Sequence, residues 1–106
     1  MDTITMFIIH RTDDFSSWLN GLKDTNTRAR LIRRLQKAER GLLGDVEPVG
    51  HGVHEMREHF GPGWRMYYIQ HGHTLLLMLG GGDKATQKAD IATAKKLAAA
   101  LQEQKK

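Results

Sequence analysis

Two hydrophobic periods alternate along the chain, and the change of period marks its elements. Residues 3–9 are β-branched and apolar, which predicts a strand. Both its Ile4, Met6, Ile8 face and its Phe7, Ile9 face are apolar, so burial on both sides is expected. Thr12 or Asp13 can cap a helix carrying Phe15, Trp18, Leu19 and Leu22, with Gly21 as its stop. Asp24 or Thr25 starts a second helix with the stripe Leu31, Ile32, Leu35, Ala38 and Leu42, ended by Gly41 and Gly44. Residues 44–52 contain Gly and Pro and read as a loop.

Three strands follow, at 53–60, 64–70 and 74–79, separated by Gly61-Pro62-Gly63 and His71-Gly72-His73. The glycine run Gly80-Gly81-Gly82-Asp83 is expected to break the last strand. Thr86 can cap a final helix with Ile91, Ala94, Leu97, Ala98 and Leu101 on one side, and residues 102–106 should fray. The order strand-helix-helix-strand-strand-strand-helix predicts an α+β fold. Its helices pack on a mainly antiparallel four-stranded sheet, with the first strand beside the last.

At 106 residues the chain, 1–106, forms one domain. It has no cysteine, which excludes disulfides, Fe–S clusters, cysteine-based zinc sites and a thiol nucleophile. The uncharged run 70–82 holds two His and four Gly, so no membrane span is expected. Asp2 and the lack of a basic start argue against a signal peptide. Six histidines include the pairs His51-x-x-His54 and His71-x-His73, but no HExxH and no acid at ligand spacing, so no metal is expected. Gly80-Gly81-Gly82-Asp83-Lys84 lacks Walker spacing, so no nucleotide cofactor is expected either.

The net charge is +4 and it is clustered. Residues 28–40 hold Arg28, Arg30, Arg33, Arg34, Lys37 and Arg40 against the single acid Glu39, a local +5. This is either a solvated helix face or a polyanion-binding one. In the meander, a three-residue hairpin would set His59 opposite Arg65 and Arg57 opposite Tyr67. Alternation then places Arg57, His59, Arg65 and Tyr67 on one face, and Met56, Phe60, Trp64, Met66 and Tyr68 on a largely apolar one. Two close arginines need an anion between them. Either Glu55 or Glu58 supplies it, giving ordinary ion pairs, or the face receives a phosphate. With a His or Tyr nearby, the second option suits metal-free RNA cleavage by a neighbouring 2′-hydroxyl.

Three ordered stretches are specific in combination. They are Gly52-Val53-His54-Glu55-Met56-Arg57, then Gly61-Pro62-Gly63-Trp64-Arg65-Met66-Tyr67-Tyr68, then Leu77-Met78-Leu79-Gly80-Gly81-Gly82-Asp83-Lys84-Ala85-Thr86-Gln87. Together they resemble the RelE/ParE toxin superfamily, in particular its HigB-like branch of phage-derived or addiction module killer proteins, over nearly the whole chain. Met56 stands where that branch has Leu.

The resemblance implies a RelE-like fold and a toxin of a bacterial type II toxin–antitoxin pair in the cytoplasm. It implies a ribosome-dependent mRNA endonuclease (an mRNA interferase) that inhibits translation without a cofactor. The alternatives are a ParE-like inhibitor of DNA gyrase, or a degenerate toxin that only binds its antitoxin. Arg57, Arg65 and Lys84 match the motif cations and are the expected phosphate contacts. His59 and Tyr67 are proton-handling candidates from the face geometry. Arg28, Arg30, Arg33, Arg34, Lys37 and Arg40 form the expected RNA-docking cluster. The expected partners are the ribosome, mRNA and a cognate antitoxin of helix-turn-helix type, with DNA met only through the antitoxin.

Overall fold

The computed structural model describes residues 6–103. Strand β1 (Ile8–Arg11) leads into α1 (Asp13–Asn20) and α2 (Thr25–Glu39). Strands β2 (Val46–Gly50), β3 (Val53–Arg57), β4 (Trp64–His71) and β5 (Leu75–Asp83) follow. A short 3₁₀ turn (Lys84–Thr86) leads into α3 (Gln87–Glu103). The five strands lie in the order β1-β5-β4-β3-β2. Only β1 pairs in parallel, with β5, as expected from its two-helix crossover. The predicted α+β class and element order are observed, with one strand more than expected.

The caps explain the helix boundaries. Thr12 Oγ1 accepts from Phe15 N at 3.1 Å and starts α1, with Asp13 and Asp14 in its first turn. Asp24 accepts from Asn26 N at 2.9 Å and starts α2. The last helix is entered differently from the reading that placed Thr86 at its cap. Asp83 caps the 3₁₀ turn, accepting from Ala85 N at 2.9 Å, while Thr86 Oγ1 donates to Asp90 at 2.6 Å.

Both sheet faces carry a core. Phe15, Leu19, Leu31, Leu35 and Ala38 from α1 and α2 pack on Met56, Met66, Tyr68, Leu76 and Met78. Ala94 and Ala98 of α3 pack on Val53, Tyr67, Ile69 and Leu79. The apolar face was read correctly, since Phe60 and Trp64 also join the first cluster. The opposite face is not an open polar surface. α3 covers its middle, with Arg57 and Arg65 towards one end.

Four further expectations change. The strand read at 3–9 lies partly outside the described residues, and its observed portion starts at Ile8. Met6 and Ile8 are 58% and 60% exposed, so burial on both sides does not hold: β1 is an edge strand. Leu42 is also exposed, and Leu43 packs on the core in its place, because the helix has ended before it. Residues 44–52 are not a loop but supply β2, an edge strand where Pro48 is tolerated. A two-residue turn at His51-Gly52, with φ 55° and 79°, joins it to β3.

The glycine run does not break β5. Gly80, Gly81 and Gly82 pair with Tyr67, Met66 and Arg65, after a bulge that leaves Leu79 without an opposite residue. Glycine is needed there for close approach. A Cβ on Gly81 would collide with the Trp18 ring, and one on Gly82 with the Asp90 carboxylate.

Candidate functional site

The polar end of the sheet is built where β2, β3 and β4 meet the start of α3. Its register differs from the three-residue hairpin. Arg57 pairs with Arg65, Met56 with Met66 and Glu55 with Tyr67. The connection spans residues 58–63, closed by Glu58 N donating to Trp64 O at 2.9 Å and Gly63 N to Phe60 O at 3.1 Å. The pairing slips by two residues relative to the hairpin reading, an even number. Arg57, Arg65 and Tyr67 therefore keep a common face. His59 leaves the strand and lies in the loop, where its side chain is 71% exposed.

Asp45, immediately before β2, draws the loop back to the strand. Its Oδ1 accepts from Arg57 Nη2 at 2.9 Å, and its Oδ2 bonds His59 Nε2 at 2.7 Å. These two contacts, Arg57 first, hold the Asp45 carboxyl at about 2, below the ordinary carboxylate value. The same bond raises the pKa of Arg57, which also has Glu47 at 3.5 Å. An ionised carboxylate only accepts, so His59 Nε2 carries the proton and donates. In the neutral ring this leaves the lone pair on Nδ1. Asp45 thus orients an exposed imidazole beside a guanidinium.

Arg65 is different. It is buried, and its Nη1 donates to Glu58 O and Trp64 O, both at 3.1 Å. Its Nε lies 3.7 Å from Glu55 Oε1, too far for a hydrogen bond. Glu55, 2% exposed, accepts instead from Gln87 Nε2 of α3 at 2.7 Å. The Tyr67 hydroxyl is buried nearby with no hydrogen-bond partner among the described residues. Burial first, then the Glu55 charge, push its pKa upward, so it stays protonated. The structure therefore removes Tyr67 from the solvent-facing candidates. It is a core residue under α3, on the face that alternation assigned.

Lys84 is exposed on the 3₁₀ turn and reaches the same end. Gly63 lies between it and Arg65. A Cβ there would sit 3.4 Å from Lys84 Cβ and 3.6 Å from Arg65 Nη1. Arg57, His59, Arg65 and Lys84 thus share one end of the sheet.

The basic helix divides. Arg33, Lys37 and Arg40 are exposed. Arg30 stacks over Phe60, with its Cζ 3.7 Å from the ring centroid. Arg28 is half-buried and donates to Leu22 O at 3.2 Å. Arg34 does not belong to a solvent-facing cluster. It is buried, and its guanidinium donates to Leu43 O, Asp45 O, Arg57 O and Glu58 Oε1, the last three at 2.9 Å. Its position was a signal in itself, because Leu31, Arg34, Leu35 and Ala38 are at core-facing helical spacing. Asp45, Glu47 and Gln87 were not singled out from sequence. Asp45 and Glu47 fall at a stretch read as loop, and neither has a short-range partner. Both acids weighed as counter-ions are engaged, Glu55 facing Arg65 and Glu58 facing Arg34.

Among the described residues no group of three or more His, Asp or Glu side chains is placed to hold a metal ion. The arrangement offers an oriented imidazole and three cations. Chemically it can accept a proton and stabilise an anion at the protein surface.

Comparison with known proteins places this geometry. A chain of the toxin–antitoxin complex RelBE2 from Mycobacterium tuberculosis shares the fold, with a TM-score of 0.64 and 18% identity. The match covers 80% of this chain and 99% of that one. An uncharacterized protein of Haemophilus influenzae is 39% identical over 93 residues, 88% of this chain and 94% of that protein. The family described as Phage derived protein Gp49-like (DUF891) matches residues 17–104. That span holds every candidate residue named above, and with the RelE-like fold it shows that the chain belongs to the Gp49-like family of phage-derived proteins.

Proposed function

We propose that this protein is the toxin of a bacterial toxin–antitoxin pair and acts as a ribosome-dependent mRNA endonuclease. The toxin assignment is supported by its family and by the fold it shares with a chain of a toxin–antitoxin complex. The nuclease assignment is carried by one observation: Asp45 orients the exposed His59 imidazole directly beside Arg57.

In this reading His59 Nδ1 takes the proton of an RNA 2′-hydroxyl. The 2′-oxygen attacks the adjacent phosphorus and the bond to the 5′-oxygen breaks. A 2′,3′-cyclic phosphate and a 5′-hydroxyl result, the latter protonated from Lys84 or solvent. Arg57 meets the charge that develops on the phosphoryl oxygens, trading part of its contact with Asp45 for the phosphate. Arg65 is held under the site by Glu58 O and Trp64 O and adds to the positive potential. The base and the cations come from the chain itself, so the reaction is written without a metal. A cognate antitoxin is the expected protein partner.

Primer extension on a defined mRNA in a bacterial translation reaction tests this. New 5′ ends at in-frame codons should require ribosomes. His59→Gln, at an exposed position, should lower the cleavage rate about a hundredfold. Intact mRNA with undisturbed translation from folded protein would sink the nuclease reading, and inhibition of gyrase supercoiling would be measured next.

A further inference from the structure

The basic face of α2 is not uniform. Arg30, Arg33, Arg34 and Lys37 stand at i, i+3, i+4 and i+7, so all four share one side of the helix. With Glu58 they line a surface pocket of about 180 Å³. Four cations this close repel one another. The single acid in the lining, Glu58, is bonded to Arg34 at 2.9 Å, so it offsets one of the four charges and leaves three. Among the described residues, Arg30, Arg33 and Lys37 have no ion-pair partner. Arg30 is also held in place. Its Cζ lies 3.7 Å from the Phe60 ring centroid, a cation–π contact that restrains the side chain.

The pocket shares a wall with the candidate catalytic end. Glu58 lies between Arg57 and His59 in the chain, and Arg34 Nη1 donates to Arg57 O at 2.9 Å. An RNA strand whose scissile phosphate met Arg57 would place a neighbouring phosphate on this side.

The geometry points to the pocket as a second phosphate subsite, in which Arg30, Arg33 and Lys37 grip a backbone phosphate of the RNA flanking the cleaved bond. It rests on the RNA-cleaving reading above and deepens it. Two forked guanidiniums and an ammonium over a pocket of this size suit a tetrahedral phosphodiester better than a planar carboxylate. The subsite reads no sequence and makes affinity salt-dependent. Arg28 and Arg40 lie outside it, and Arg34 is its floor rather than a ligand.

The probe is a short fluorescein-labelled 2′-O-methyl oligoribonucleotide, which cannot be cleaved by 2′-hydroxyl attack. Its polarisation is read against the full chain over a range of salt. The double variant Arg33→Ala, Lys37→Ala should bind at least tenfold more weakly. Its slope of log K against log salt should fall by roughly 1.4 for two lost contacts on a single strand. The variant Lys88→Ala, Lys96→Ala removes the same charge from α3, on the other side of the sheet, and should bind within about twofold of the parent.

Unchanged affinity and slope in the first variant would overturn the subsite, as would equal losses in both variants. Loss of co-sedimentation with ribosomes while oligonucleotide binding persists would give the pocket to ribosomal RNA instead. An equal loss of affinity for a polyglutamate peptide would show a general anion face and would also overturn it. The probe lacks the nucleophile, so the two readings can fail separately. Pocket-dependent binding alongside intact mRNA in translation would remove the nuclease and leave the subsite.

Discussion

Arg34 and Arg65 are both buried arginines at the same end of the molecule, and their surroundings treat them in opposite ways. Arg34 meets three backbone carbonyls and one carboxylate, a set that saturates a guanidinium. Arg65 meets two carbonyls through one nitrogen and leaves Nε at 3.7 Å from the nearest carboxylate. Beside it the Tyr67 hydroxyl, close to Glu55, makes no well-formed hydrogen bond among the described residues, and Glu55 is engaged by Gln87. The first region is closed: it joins α2 to the strand end and holds Asp45 and Arg57 by their backbones. The second is under-satisfied, which is where functional sites tend to leave their polar groups.

The sharpest test of this contrast is Arg34→Ala. It strands Glu58 and the carbonyls of Leu43, Asp45 and Arg57, and should cost about 3 kcal/mol in a urea titration. Arg34→Lys should recover less than half of that, since one ammonium cannot reach four acceptors. A loss near zero would erase the distinction between the two arginines.

Glu55→Gln should cost less, about 2 kcal/mol, by leaving the buried Arg65 without its counter-charge at 3.7 Å. Its cost should stay below that of Arg34→Ala in the same titration. Tyr67→Phe reverses the sign. Removing a buried hydroxyl without a well-formed hydrogen bond among the described residues should leave stability unchanged or raise it by up to about 1 kcal/mol. A clear loss would mean that the hydroxyl is paired, and the second region would then be as closed as the first.

The smallest effect concerns pH. The Asp45 carboxyl titrates at about 2 in the folded chain, below its unfolded value. Its contribution is therefore complete above the unfolded pKa and fades as pH falls towards 2. Asp45→Asn should lower stability by a constant amount near neutrality and flatten the profile between about pH 4 and pH 2. An unaltered profile in that window would show that the Arg57 and His59 contacts do not depend on the charge.

The sequence supported the element order, the place of the first strand beside the last, and the partition of the meander into an apolar and a polar-bearing face. Alternation is a property of neighbouring residues, so it survived the slip of two positions at residues 58–63. The strand β2 was missed because Val46–Gly50 carries Pro and Gly and has no partner within its own stretch. The extent of β5 was missed because glycines usually end strands. Here Trp18, far off in sequence, and Asp90 of the following helix leave no room for a side chain at Gly81 and Gly82. Within the site, the common face of Arg57 and Arg65 and the reach of Lys84 to it were legible, while the loop position of His59 and the part played by Asp45 were not.

Sequence alone therefore determined what depends on short range: helical and strand periods, caps, turns and which residues share a face. Only the tertiary structure decided which charges are engaged and which remain available. Arg34 and Arg33 are adjacent in sequence and identical in chemistry, yet one is buried under four acceptors and the other faces solvent. Hydrogen bonding and burial act through space, between residues 9 to 24 apart along the chain in the case of Arg34, and no local pattern encodes them.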